Sequence, residues 1–178
     1  MSRRSDRKTN DHDMKTKKAS RGGQANSRRA PLKMRRILVP LDFSGHSRKA
    51  LEAAVPLARR YGGKIFLVHV VQPPVVLSPL PAGGQYLAPM DNAMAINAAK
   101  THLDELAAKL APRELLERTL VRQGSPYHEI TSAARTLKID LIVIATHGHS
   151  GLKRVFIGST AERVVRHAHC PVLAVRRD

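Results

Sequence analysis

The chain contains a single cysteine, Cys170, no tryptophan, and only three phenylalanines and three tyrosines among 178 residues. One thiol excludes an internal disulfide and any metal centre built on a cysteine cluster. No segment reaches the roughly 18 continuous apolar residues that a membrane-spanning helix needs. The basic beginning also lacks the apolar run of about 7–15 residues that marks a secretory signal. Together these absences predict a cytoplasmic protein without a membrane span. Acidic residues are scarce as well: 14 Asp and Glu stand against 31 Lys and Arg, for a formal net charge of +17.

That charge is unevenly spread. Residues 1–36 hold 13 Lys and Arg against 3 Asp, so +10 is concentrated there. The same segment is rich in Arg, Lys, Ser, Asn and Gly and almost free of aliphatic residues, too polar to offset its ordering entropy by burial. Residues 1–34 are therefore expected to be a disordered basic arm, and residues 35–178 one domain. The arm could hold nucleic acid through salt-sensitive attraction, but it has no interleaved aromatics for base stacking.

Within the domain, apolar runs alternate with helical patterns. Arg36–Asp42, Lys64–Val71, Arg118–Arg122, Ile139–Ala145 and Pro171–Val175 read as strands, most of them apolar enough to be covered on both faces. Helical spacing recurs over Ser47–Tyr61, stopped by Gly62-Gly63 and interrupted by Pro56. It returns at Ile96, Ala99, Leu103, Leu106 and Leu110, which share one stripe. Ser125-Pro126 suits an N-cap followed by proline at the first helical position, opening a helix to Leu137. Ala161, Val164, Val165 and Ala168 mark a last short helix. Five prolines and Gly83-Gly84 between Gln72 and Pro89 favour a long extended connection over regular structure. This alternation predicts an α/β fold with a parallel sheet.

In open parallel sheets, ligands bind beyond the carboxyl ends of the strands, where the strand order reverses. Those ends carry Pro40-Leu41-Asp42, His69-Val70 and Ala145-Thr-His-Gly148. The glycines that follow fit neither of the two best-known phosphate loops, because Gly158-Ser159-Thr160 has no lysine and the pair opening G-x-G-x-x-G is missing. What remains is Gly148, nine residues, then Gly158-Ser159-Thr160 opening a helix, an arrangement that would aim backbone N–H groups and two hydroxyls at an anion. Ser159 with Glu162 also reads as a capping box, and the two roles are compatible.

These residues resemble the universal stress protein family in its UspA-like form. The likeness rests on Ile37-Leu-Val-Pro-Leu-Asp-Phe-Ser44, Leu67-Val-His-Val70, and the run from Ala145 through Gly158-Ser-Thr-Ala-Glu-Arg to Cys170-Pro-Val-Leu-Ala-Val175, and it covers about residues 35–178. It implies a five-stranded parallel sheet of Rossmann-like, adenine nucleotide alpha hydrolase-like type with helices on both faces. It implies a stress-associated role and, as ligand, ATP, an adenine nucleotide that can carry Mg. Many members bind ATP through Gly, two residues, Gly, nine residues, Gly and Ser/Thr. Here the second and third glycines fall on Gly148 and Gly158 and the hydroxyl on Ser159. The first falls on Ala145, a departure. By the same matching Asp42 faces the ribose, Val70 contacts adenine, Pro40 and Leu41 line the pocket, and Ile144, Ala145 and Thr160 complete it. The resemblance also implies a homodimer paired through residues 171–175.

Catalytic readings are weak beside this one. His147 and His149, like His167 and His169, have an i, i+2 spacing, but zinc catalysis usually needs three ligands in defined geometry. No metal site is expected. Cys170 suits a small buried thiol, and no G-x-S-x-G elbow is present. Asp42 has no second carboxylate placed to join it, so hydrolysis should be slow and incidental. Lys153 and Arg154 suit a solvated loop. Two rivals remain: a dimer acting through protein contacts, with Ala145 recording the loss of ATP, and a nucleic-acid-associated protein whose working part is the arm.

Overall fold

Arg36–Pro40 forms β1, and every residue after Arg36 in it is buried. The computed structural model describes residues 34–73, 75–79, 85–89, 92–147 and 157–176. The basic arm predicted over residues 1–34 therefore lies almost wholly outside the described residues. After β1 the order is α1 (Gly45–Tyr61), β2 (Lys64–Val71), β3 (Val75–Pro79), β4 (Gln85–Pro89), α2 (Ala93–Leu110), β5 (Leu116–Gln123), α3 (Pro126–Thr136), β6 (Leu141–Ala145), α4 (Ser159–His167) and β7 (Val172–Val175).

Five of these strands make one parallel sheet in the order β5-β2-β1-β6-β7. Strand direction never changes, but the chain moves outward from β1 to β2 and then returns to β1's other side with β6. The reversal places a crevice between the carboxyl ends of β1 and β6. The alternation of side chains across the sheet builds two cores. Ile37, Val39, Ile65, Leu67, Leu141, Val143 and Ala145 pack with α1 and α2. Leu38, Phe66, Val68, Ile142 and Ile144 pack with α3 and α4. Helices thus cover both faces, the five-stranded α/β fold expected from the alternating pattern.

The helix ends follow from local chemistry. The Ser44 hydroxyl accepts the Ser47 N–H at 3.2 Å and caps α1. At the other end Gly62 takes a left-handed conformation with φ 60°, the turn that ends a helix without a Cβ penalty. Pro56 lies inside α1, which continues past it to Tyr61. The stripe on α2 holds at its centre, where Ala99, Leu103 and Leu106 are buried. Pro126 occupies the first turn of α3 as expected, although Ser125 makes no side-chain cap bond.

Three expectations are corrected. Residues 75–79 and 85–89 are not an irregular connection but an antiparallel hairpin, with Val75 opposite Pro89 and Pro79 opposite Gln85. Its prolines sit at strand ends, where a missing N–H breaks the ladder least. Ser159 is not a cap: Gly158 holds the N-cap position of α4, and Glu162 pairs with Arg166 at 2.9 Å instead. Ala168 is not inside the last helix but holds the C-cap position just past the end of α4, whereas Ala161, Val164 and Val165 lie within it.

Candidate functional site

The crevice opens into a cavity of about 330 Å³ at the carboxyl edge of the sheet. Its floor comes from the ends of three strands: Pro40, Leu41 and Asp42 after β1, Val68 and Val70 in β2, and Ile144 and Ala145 in β6. α3 contributes Pro126 and Ile130, and α4 contributes Ser159, Thr160 and Ala161 behind Gly158. Val68, Val70, Ile130, Ile144 and Ala161 all belong to the core on the α3/α4 side of the sheet, so one wall of the cavity is apolar. Asp42 is the one carboxylate among the lining residues.

Nine of the ten residues singled out from the sequence line this space: Pro40, Leu41, Asp42, Val70, Ile144, Ala145, Gly158, Ser159 and Thr160. Gly148 lies outside the described residues, as do His149, Gly151, Lys153 and Arg154. Sequence reasoning passed over Ser47, Gln72 and Ile130, which also line the cavity, as do Thr146 and His147, which it placed at the ligand-binding edge without counting them as site residues. For Thr146 and His147 the signal was available, since both follow β6 at the ligand-binding edge. Ile130 lies on α3, and only the tertiary packing brings it there.

Local geometry shapes the two ends. At the α4 end, Gly158 N–H donates to the Thr146 carbonyl at 2.6 Å, and a Cβ on residue 158 would lie 3.1 Å from that oxygen. No side-chain cap bond occupies the N-terminus of α4. The N–H groups of its first turn have no partners within the helix, and they carry the positive end of its dipole. Beside them, Thr146 Oγ1 and His147 Nδ1 are 3.0 Å apart, and His147 Nε2 is buried with no partner among the described residues.

At the β1 end, Asp42 Oδ1 accepts the Ser44 N–H at 3.0 Å, which ties the carboxylate to the start of α1. His69 Nδ1 lies 2.7 Å from the Leu41 carbonyl, so the neutral ring carries its proton on Nδ1 and donates it. Burial is the main influence on His69 and holds it below its ordinary range, outweighing the Leu41 bond and the Asp42 charge. Ala145, the departure from the glycine pattern, belongs to the core on the α1/α2 side, and its backbone register is set by pairing with Val175. Its methyl is therefore packed in the core across the sheet from the apolar wall.

This set of groups offers an apolar slot, one carboxylate and one uncapped helix N-terminus with two adjacent hydroxyls. No group of three or more His, Cys, Asp or Glu is placed to hold a metal ion among the described residues. Cys170 is a free thiol, and burial raises it above the usual range, which disfavours the reactive thiolate. Among the described residues no helix is long and apolar enough to cross a membrane.

Comparison with known proteins agrees with this architecture. Universal stress protein MJ0531 of Methanocaldococcus jannaschii is 34% identical over 151 residues, covering 80% of this chain and 82% of its own length. The solved UspA of Lactobacillus plantarum is 30% identical with a TM-score of 0.60, covering 81% of this chain and 99% of that one. A universal stress protein from Archaeoglobus fulgidus, solved in complex with dAMP, is 24% identical with a TM-score of 0.53, covering 80% and 98%. Residues 33–176 match the model of the universal stress protein family, and with its five-stranded parallel sheet covered by helices on both faces the chain belongs to that family.

Proposed function

We propose that the chain is a stress-associated adenine-nucleotide-binding module that takes ATP and acts by ligand occupancy and dimer contacts rather than by turnover. The observation that carries this reading is the cavity at the β1/β6 reversal, which sets an apolar slot, Asp42 and the uncapped α4 N-terminus around one space. A planar base suits the slot formed by Val70, Ile130 and Ile144, a hydroxylated sugar suits Asp42, and phosphates suit the N–H groups of Ser159 and Thr160. Gly158 lets that helix end approach the Thr146 backbone closely, since a Cβ there would lie 3.1 Å from the Thr146 carbonyl oxygen. The related Archaeoglobus fulgidus protein with dAMP supplies a fold-level precedent for an adenine nucleotide. Mg²⁺ would neutralise phosphate charge, and Asp42 is the carboxylate in place to assist it.

With one carboxylate and no activated nucleophile among the lining residues, the site is suited to binding. We assign residues 35–178 to the binding module and residues 1–34 to a basic arm, within a cytoplasmic protein. A homodimer through residues 171–175 suits β7, which ends the sheet and exposes 41% of Leu173. Light scattering of L173K against the unchanged protein checks this, with loss of the dimer expected.

The decisive test is to denature the purified protein, identify any nucleotide released, and titrate the emptied protein with ATP and AMP. Saturable binding below millimolar concentration is expected, and its absence overturns the reading. The +10 charge of residues 1–36 favours a second role in non-specific nucleic-acid binding. Retention by full-length protein and by a variant starting at Lys33, compared across a salt series, checks it. Equal retention removes the arm as a binding element.

A further inference from the structure

The segment joining β1 to α1 contains a conformational outlier, which packs at the edge of the α1/α2-side core and does not line the cavity. Phe43, directly after Asp42, has φ 67°, in the left-handed region that a bulky L residue strongly disfavours. A glycine would take this conformation at no steric cost, so the ring must be held by something that outweighs the strain. Beyond its packing on the core, its two ring partners come from distant parts of the chain. The His69 ring of β2 stacks on one side, with centroids 4.2 Å apart and planes at 26°. The His102 ring of α2 also stacks on Phe43, at 4.2 Å and 13°.

The residues around Phe43 are pinned in turn. Leu41 N–H donates to Val68 at 2.8 Å and the Leu41 carbonyl accepts from His69 Nδ1 at 2.7 Å. Asp42 Oδ1 accepts the Ser44 N–H, and Ser44 caps α1. His69 therefore grips the segment twice, by a hydrogen bond at Leu41 and by stacking at Phe43. His102 is different: it does not line the cavity, it lies on an exposed position of α2, and its one described ring contact is Phe43. A near-parallel stack from an exposed position adds little buried area, but it restricts the orientation of the ring beneath it.

We propose that His69, Phe43 and His102 form an aromatic clamp that holds Asp42 at the cavity, which makes His102 a positioning residue for a ligand it does not touch. The inference rests on the reading that Asp42 faces the ligand. The clamp fixes the backbone on the C-terminal side of Asp42 while the Leu41 bonds fix it on the other, so the carboxylate is presented in one orientation before ligand arrives. Such preorganisation strengthens binding by removing ordering that would otherwise accompany it.

The test uses full-length protein and four variants: H102A, H102F, D42N and the H102A/D42N double. Alanine suits an exposed helical position, so H102A leaves folding intact, and H102F restores a flat ring without the imidazole nitrogens. AMP affinity by calorimetry is expected to fall about fivefold in H102A, to return to within about twofold in H102F, and to change little when H102A is added to D42N, because coupled residues are not additive. In the ligand-free protein, exchange of the Ser44 amide, which is bonded to Asp42, is expected to rise about tenfold in H102A and not in H102F. Unchanged Ser44 exchange in H102A, or an equal affinity loss in both backgrounds, overturns the clamp. If the unchanged protein binds no adenine nucleotide, the proposed function fails, and the exchange measurement alone then decides the clamp.

Discussion

Gly158 approaches Thr146 so closely that its N–H donates to the Thr146 carbonyl at 2.6 Å, while a Cβ on residue 158 would sit 3.1 Å from the same oxygen. This contact joins the end of β6 to the start of α4 and so sets where the helix N-terminus meets the cavity. G158A forces the two backbones apart by a few tenths of an ångström. We expect a stability loss of about 1 kcal/mol, read as a fall of about 2–4 °C in Tm. Under the proposed function, in which the displaced amides serve the phosphates, adenine-nucleotide affinity should fall about tenfold, equivalent to about 1.4 kcal/mol. Calorimetric titration beside a thermal melt separates the two effects.

Ala145 replaces the first glycine of the family pattern, but its methyl packs in the core on the α1/α2 side. Reverting it with A145G should therefore lower stability by about 1 kcal/mol, through lost packing and strand entropy, and leave nucleotide affinity within about threefold. Binding that is absent in the unchanged protein and gained in A145G would instead make the methyl the barrier.

His69 supplies a pH dependence with a defined sign. Burial lowers its folded value below the ordinary 6.5, so the folded state resists a proton that the unfolded chain accepts. Its neutral form is no burden above pH 6.5. As pH falls below 6.5 stability declines, and the decline ends once pH passes the folded value. H69N retains an N–H donor for the Leu41 carbonyl but does not titrate. Urea midpoints between pH 7.5 and 5 should fall less steeply in H69N than in the unchanged protein.

Asp140 anchors the beginning of β1. Its Oδ2 accepts the backbone N–H groups of Arg35 and Arg36, each at 2.9 Å. D140A leaves both donors to solvent, and because the site is exposed the expected loss is modest, about 1–2 kcal/mol. D140N, which keeps an acceptor, should lose less than half as much. Denaturant unfolding of the two variants checks the ranking.

Most of the sheet was legible because four of its five parallel strands carry a short apolar run ending at the same edge, from Val39-Pro40 to Ile144-Ala145, while the edge strand β5 is mostly polar. Since ligands of such sheets sit at that edge, most of the candidate site could be read from local sequence as well. The hairpin of β3 and β4 was not legible, because Pro79 and Pro89 signal irregular structure unless their place at strand ends is known. The start of α4 was misread by one residue. The Ser159–Glu162 pattern is right for a cap, but the Thr146 carbonyl holds Gly158 at that position, a tertiary contact that no local pattern encodes. His102 was invisible for the same reason: its partner is Phe43, far up the chain, and on α2 it reads as one more polar residue.

The bond from Arg36 to Asp140 spans 104 positions of the chain, and the one from Gly158 to Thr146, both of which line the cavity, forms later still. A chain growing from its N-terminus has made Asp42 long before it has made the α4 residues that line the same cavity. The cavity is thus among the last features to mature during synthesis. A nucleotide held there would report that the polypeptide is complete through α4, and it would reward only molecules that have finished folding.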